Sequence, residues 1–305
     1  MVDLKIQIPD GFLDEEERCG YLISSDMKKA WAVMLDLLVE FDRVCKKNGI
    51  KYFASGGTML GAIRHKGFIP WDDDIDLMMF REDYDKLLEI GPKEFQHPYF
   101  FQNKLTDPCC VDLISKLRNT ETTALMLNEV GTKFEYNRGI FIDIFPLDFI
   151  PDGQEAFNEL ANNVEKCKKR MYRMGKKLGI YTPSSSPISG TIKNCLHRIL
   201  SHKRNRNIDG YRRTFLNLEN ACRKYKGQNK GKVAALAFSL NQCDIKSYED
   251  NEVITPMDFE FIKIPVGTGY DHALKVKYGD YMTFKKGLAY HSDITFDTDK
   301  SYREY

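Results

Sequence analysis

"SGGTMLGAIRHKGFIPWDDDIDLMMF", Ser55 to Phe80, is the stretch on which the fold turns. It opens with a paired glycine, bends at Pro70-Trp71, and closes with DDDID feeding an apolar run. Asp72, Asp73, Asp74 and Asp76 therefore stand together just before residues that want to be buried. Like charges this close repel. Burying even one costs on the order of several kcal/mol unless something positive compensates. Such a cluster is either solvated or built to hold a cation.

Working outward, "IKYFAS" reads as a short strand and "GGTMLGAIRH" as a short helix following it at once. A strand, two glycines and a helix start leave free backbone N–H groups, a natural anion site. No Gly-Lys-Ser/Thr is present, so this is not a Walker loop. "DIDLMMF" reads as a strand, with Ile75, Leu77 and Met79 on one face. Asp74 and Asp76 fall on the other, about 7 Å apart by strand rise. "REDYDKLLEIG" predicts a helix ended by Gly91. Upstream, "SSDMKKAWAVMLDLLVEFDRVCKKNGI" predicts a helix capped by Ser25 or Asp26 and ended at Gly49. Trp31, Met34, Leu35, Leu38, Phe41 and Cys45 share its core-facing side.

"RGIFIDIFPLD", Arg138 to Asp148, is β-branched and aromatic around Asp143 and predicts a strand. Asp143 is then either a buried residue satisfied by backbone donors or the third carboxylate of an Asp74/Asp76 site. Three carboxylates on neighbouring strands, facing a Gly-Gly turn, suit Mg2+ (or Mn2+) held against a phosphate. Arg64, His65 and Lys66 lie between the two halves. They are placed to grip phosphate oxygens, or form an ordinary exposed turn. An EF-hand reading of Asp72, Asp74 and Asp76 fails, because Leu77 stands where glycine is needed. The histidines do not cluster, which argues against a zinc hydrolase.

A net charge of +1 over 305 residues argues against a dedicated nucleic-acid binder. The N-terminus lacks an apolar h-region, and no stretch has the roughly 18 apolar residues of a membrane span. The cysteines form no C-x-x-C pair. The expectation is a cytoplasmic protein with free thiols. Between Glu155 and Lys230, eighteen Lys and Arg oppose five Asp and Glu. This basic segment, largely helical by pattern, is either a solvated face or a surface for an anionic acceptor or the inner face of a membrane. "TPSSSPISGT" inside it reads as a loop.

Ser55 to Leu87 resembles the signature of the LicD family, which includes the fukutin-related transferases: glycine pair, Arg-His-Lys, Pro-Trp and the Asp run come in the family's order. "GIFIDIFPLD" resembles its second block and "FEFIKIPVGTGYDHALKVKYGDYM" its C-terminal block. The resemblance implies a nucleotidyltransferase-like α/β (α+β) fold, a mixed sheet flanked by helices, with the basic helical segment inserted. It implies Gly56, Gly57 and Thr58 as the phosphate-binding turn, Asp74 and Asp76 as the metal pair, and Asp143 as the third carboxylate. It further implies Arg64, His65, Lys66, Trp71 and Asp73 as substrate contacts. The activity implied is transfer of phosphocholine, or a related phospho-alcohol, from a CDP-linked donor to a sugar of a cell-surface glycan or lipid-linked glycan, with CMP leaving. After "YGDYM" the family usually continues Leu-Pro-Pro; here Lys285, Lys286 and His291 stand nearby instead.

The expected layout is an N-terminal helical region (1–48), a catalytic core (49–154), the basic segment (155–231) and a C-terminal region completing the core (232–305). A nucleotidyltransferase moving the nucleotidyl group is the alternative. A glycan-binding protein would not need Asp74 and Asp76. A glycosyltransferase would usually place a nucleotide-binding domain ahead of its Asp-x-Asp motif. For a choline head group, Trp71, Tyr99, Phe100, Phe101 and Tyr136 are the candidate aromatic contacts.

Overall fold

The structure, a computed structural model, describes residues 1–126, 136–180, 208–227, 231–241, 244–285 and 294–305. "TPSSSPISGT", Lys193, Arg198, Lys203, Arg204, Arg206, Lys230, Lys286 and His291 lie outside them.

A mixed sheet organises the chain. Its strands are β3 (Phe53–Ala54), β4 (Asp76–Phe80), β5 (Tyr99–Gln102), β6 (Ser115–Asn119), β8 (Phe141–Phe149), β9 (Lys232–Ala234) and β10 (Lys246–Ser247). The order is β10-β9-β8-β4-β3, with β6 also beside β8 and β5 beyond it. The β4–β8 pair is parallel; the other pairings in this sheet are antiparallel. Short hairpins lie outside it: β1 (Glu16–Arg18) with β2 (Tyr21–Ile23), and β11 (Ile254–Phe259) with β12 (Ile262–Gly267). β7 (Thr123–Met126) pairs with β13 (Ile294–Asp297).

Strand alternation divides the sheet into two faces. Ile75, Leu77, Met79, Ile142 and Ile144 join the main core with helix α1 (Ser25–Lys47). That helix is capped one residue earlier than expected: Ser24 accepts the Met27 N–H, and the backbone turns out at Asn48. Its Trp31 stacks on Phe68 at 4.4 Å and donates its indole N–H to the Asp72 carbonyl at 3.0 Å. The core helix thus fixes the acidic loop in place.

Helix α2 (Gly56–Arg64) follows β3 directly. Helix α3 (Arg81–Glu94) corrects one expectation, since it continues past Gly91 and through Pro92. Gly91 is a packing residue: a Cβ there would come within 2.6 Å of the Phe101 ring. Pattern alone does not separate a stop glycine from one pressed against a neighbouring aromatic.

The basic segment contains helices α4 (Gln154–Leu178) and α5 (Ile208–Cys222). Leu160, Val164 and Met171 pack with Tyr211, Phe215 and Leu218 in a second core. This pair is locked to the sheet by buried ions. Arg81 makes a bidentate contact to Asp148 (2.6 and 2.9 Å) and reaches Glu219 of α5 at 2.7 Å. Arg223 holds Glu219 at 3.1 Å and Asp85 at 2.6 Å.

Candidate functional site

The other sheet face carries the carboxylates. Asp76 opens β4, and its Cα partner on β8 is Asp143. The Asp143 N–H donates to the Ile75 carbonyl at 2.8 Å, so their side chains share one face at the same level. Lys116 on β6 is the Cα partner of Asp143 on the other side. A single row therefore crosses three strands: Asp76, Asp143, Lys116.

The turn before α2 closes against this row. The Ser55 N–H donates to the Asp76 carbonyl at 3.0 Å, and the Asp76 N–H donates to Thr58 Oγ1 at 2.8 Å. Gly56 takes a left-handed φ of 56°. A Cβ on Gly56 would lie 2.9 Å from Asp76 Oδ2, and one on Gly57 would lie 2.6 Å from Asp72 Oδ2. Both glycines are thus required by the carboxylates pressed against them. Negative charge at a helix start is favourable.

Asp74 departs from the expected arrangement. It sits in the loop ahead of β4, not on the strand with Asp76. There Asp72, Asp73 and Asp74 each offer an oxygen within 4.8 Å of the others. Asp73 is buried. Burial, then the charges of Asp74, Asp143 and Asp72, push the Asp76 carboxyl well above its ordinary range. A donor set made wholly of carboxylate oxygens, too crowded to carry full charge alone, fits a hard divalent cation.

Asp143 is neither unpaired nor satisfied by backbone donors alone. Lys116 Nζ lies 2.5 Å from its Oδ1 and 3.7 Å from the centroid of the Phe141 ring. Burial raises the Asp143 carboxyl, and Lys116 offsets only part of this. Burial also works against the Lys116 ammonium, but Asp112 and Asp143 outweigh it and raise its pKa. Nothing in "LISKLRN" marks this lysine; only the β6–β8 register reveals it.

The Arg-His-Lys turn is held from behind. Arg64 donates to the Tyr281 carbonyl at 2.7 Å and to His65 Nε2 at 3.0 Å. Burial, then Arg64 and Arg18, push His65 down to about 4, so it is neutral at pH 7. Lys66 is exposed, with a left-handed φ of 55°. Glu260 accepts the Phe68 N–H at 3.0 Å and pairs with Arg18 at 2.7 Å, fixing the turn.

Among the aromatic candidates, Trp71 lies beside the acidic loop, edge-on to Tyr21 (6.1 Å) and Phe284 (5.4 Å). Tyr99 and Phe101 belong to the main core, and Tyr99 donates to Asp36 at 2.7 Å. Phe100 is half-buried on β5. Tyr136 is buried beneath Arg138, 4.6 Å from the ring.

The comparisons with known proteins agree with this geometry. Residues 49–169 match the family model described as the LicD/FKTN/FKRP nucleotidyltransferase domain. The lipopolysaccharide cholinephosphotransferase LicD of Haemophilus influenzae is 25% identical over 271 residues, 84% of this chain and 91% of that protein. Residues 49–169 of the chain thus form a LicD-family domain. An uncharacterized protein of Rickettsia prowazekii is 31% identical over 179 residues, 57% of this chain and 65% of that protein. The human ribitol 5-phosphate transferase FKRP is 48% identical over 40 residues, 13% of this chain and 8% of that protein. The LicD-family match takes in the glycine pair, the acidic loop and Asp143. Its bounds leave out Lys246, the one-turn helix α6 (Glu249–Glu252) and the helix α7 (Tyr270–Tyr278). Among the described residues no helix is long and apolar enough to cross a membrane. Six cysteines in those residues are free thiols.

Proposed function

We propose that this protein transfers a phospho-alcohol, phosphocholine or a close relative, from a CDP-linked donor to a hydroxyl of a glycan, with CMP leaving. The observation that carries this reading is the in-register Asp76–Asp143 pair set against the Gly56-Gly57 helix start. The activities for which the bacterial and human relatives are named, cholinephosphate and ribitol 5-phosphate transfer, support the class of group moved.

Asp74 and Asp76, with Asp72 and Asp143 alongside, would hold Mg2+ or Mn2+. Such an ion would neutralise charge on the donor's diphosphate as the phosphorus–oxygen bond breaks. The protein's own groups do the rest. The start of α2 presents backbone N–H groups beside the carboxylates. Asp143 keeps Oδ1 on Lys116. Its Oδ2 serves as a ligand or accepts the proton of the attacking sugar hydroxyl. As that oxygen bonds to phosphorus, the bond to the CMP oxygen breaks, and its electron pair leaves with CMP. Trp71, with Tyr21 and Phe284, offers an aromatic wall to a quaternary ammonium.

The basic face of α4, with Lys168, Lys169 and Arg170, meets an anionic glycan or a membrane surface in this reading. A screen of CDP-choline, CDP-ethanolamine, CDP-ribitol and CDP-glycerol, scored by CMP release, tests the proposal. Label on the cytidine reaching the acceptor would show nucleotidyl transfer instead. Absence of CMP release with every donor and acceptor glycan tried would overturn the reading.

A further inference from the structure

The face that carries Asp76 and Asp143 also carries Met78, Phe80 and Phe145, because side chains alternate along β4 and β8. A later part of the chain covers this face. Phe238 packs edge-on against Phe145 at 5.1 Å, and Tyr248 lies on Phe80 at 4.4 Å and on Phe149 at 5.5 Å. The described residues beside these two anchors therefore make a crossing over the carboxylate side of the sheet. Lys246 on β10 is the Cα partner of Val233, itself the Cα partner of Phe149, so it falls in a row on this same face.

Lys277, in the last turn of α7, is tied to this crossing. Its ammonium lies 3.6 Å from Asp244 Oδ1, and Asp244 is itself held by the Ser239 hydroxyl at 2.7 Å. Two lysines from separate elements thus come near enough to each other and to Asp76 for their charges to interact. Among the described residues the Lys246 ammonium has no hydrogen-bond or salt-bridge partner. A half-buried ammonium in that condition is costly unless an anion meets it.

We propose that Lys246 and Lys277 form a cationic wall that grips a diphosphate beside the Asp72–Asp76 carboxylates.

The electrostatics agree. Burial, then the neighbouring Lys277 ammonium, push Lys246 down to about 8, while Asp244 and Asp76 act the other way. Lys277 acts on Asp76 in turn. Burial, then Asp72, Asp76 and Asp74, push the adjacent Tyr278 hydroxyl well up, so the end of α7 lies within the field of the acidic loop. A diphosphate alone would relieve the lysine–lysine repulsion. With a divalent cation it would relieve the carboxylate repulsion too. Neither relief depends on what the diphosphate is attached to. The wall deepens the donor half of the proposed function and rests on it only for the identity of the donor.

The test is calorimetric titration of inorganic pyrophosphate, with Mg2+ present, into the full chain and its Lys246→Met, Lys246→Arg and Lys277→Met variants. Loss of one charged contact should weaken pyrophosphate binding at least about tenfold. Lys246→Arg should retain most of the affinity. Mn2+ binding without pyrophosphate, read by electron paramagnetic resonance, should stay within about twofold in all variants. Pyrophosphate affinity within about twofold of wild type in folded Lys246→Met and Lys277→Met would overturn the proposal. If Lys246→Met does not fold, Lys246→Gln and Lys277→Met decide the matter by the same criterion. Lysine-dependent pyrophosphate binding in a chain that releases CMP from no donor would refute the donor assignment and leave the wall standing. CMP release with lysine variants of unchanged pyrophosphate affinity would do the reverse.

Discussion

Asp76 and Asp143 are Cα partners across parallel strands, and the Asp143 N–H closes the ladder on the carbonyl of Ile75. Two carboxylates at one level of a buried sheet face repel each other. In the metal-free protein Asp76 therefore holds its proton to a higher pH than the unfolded chain does. Stability from this proton is complete below the unfolded carboxylate pKa and falls as pH rises through the folded one. Asp76→Asn should remove that fall. Urea unfolding in EDTA from pH 5 to pH 8 should show wild type losing stability relative to the variant. On the proposed function, activity of the same variant should drop more than about a hundredfold, because that reading makes Asp76 a charged metal ligand.

Asp143→Asn separates two roles. As a ligand, Asp143 should leave the variant with weaker Mn2+ affinity. As a base, it should leave affinity intact but slow the single-turnover step and flatten its rise with pH. Normal metal binding together with normal turnover would reduce Asp143 to a buried structural residue.

Lys116→Met takes away the ammonium 2.5 Å from Asp143. The Asp143 carboxyl should then titrate at still higher pH, because a favourable opposite charge is gone. The acidic limb of kcat/KM should move up in pH, with a loss of about 10- to 100-fold at neutral pH. Lys116→Arg should restore part of it. An unmoved pH profile in a folded Lys116→Met protein would rule out this coupling.

Arg81→Met leaves Asp148 and Glu219 buried without their principal guanidinium. Stripping one member from such a network costs about 3–5 kcal/mol. Denaturant unfolding should show this loss, and the contact between α5 and the sheet should loosen first. Replacing Arg81, Asp148 and Glu219 together by apolar residues should cost less than the single change.

His65 offers a second pH handle with the opposite sign. Its folded pKa is depressed to about 4 by burial and by Arg64 and Arg18. The stability it contributes is present above the unfolded histidine pKa and disappears as pH falls through the folded one. The advantage of wild type over His65→Gln should therefore be full at pH 7 and shrink toward pH 4. A constant difference across that range would contradict the burial argument.

The alternation in "DIDLMMF" and "GIFIDIFPLD" was enough to orient both strands, because a half-buried strand writes its two faces into every second residue. It puts Ile75, Leu77 and Met79 on one face, and all three lie in the core. The glycine pair was legible as a turn, but not its reason, since the Asp72 and Asp76 oxygens that crowd it come from another element. The same alternation extends the strand to Asp74, two residues too early, because local pattern does not say where hydrogen bonding begins. The helix cap moved from Ser25 or Asp26 to Ser24, as three adjacent residues could each do that work. Lys116, Lys246 and Lys277 were invisible for a different reason. Their positions depend on pairing and packing over long sequence separations, and an isolated lysine has no local signature.

The Trp31 indole that donates to the Asp72 carbonyl has an optical consequence. The chain has two tryptophans, and the other, Trp71, precedes Asp72 directly. Both emitters therefore flank the acidic loop. Any ion or diphosphate that draws Asp72 inward must stretch the Trp31 hydrogen bond or change the surroundings of Trp71. Intrinsic emission becomes a label-free titration of the loop, and Trp71→Phe would leave Trp31 as its only voice.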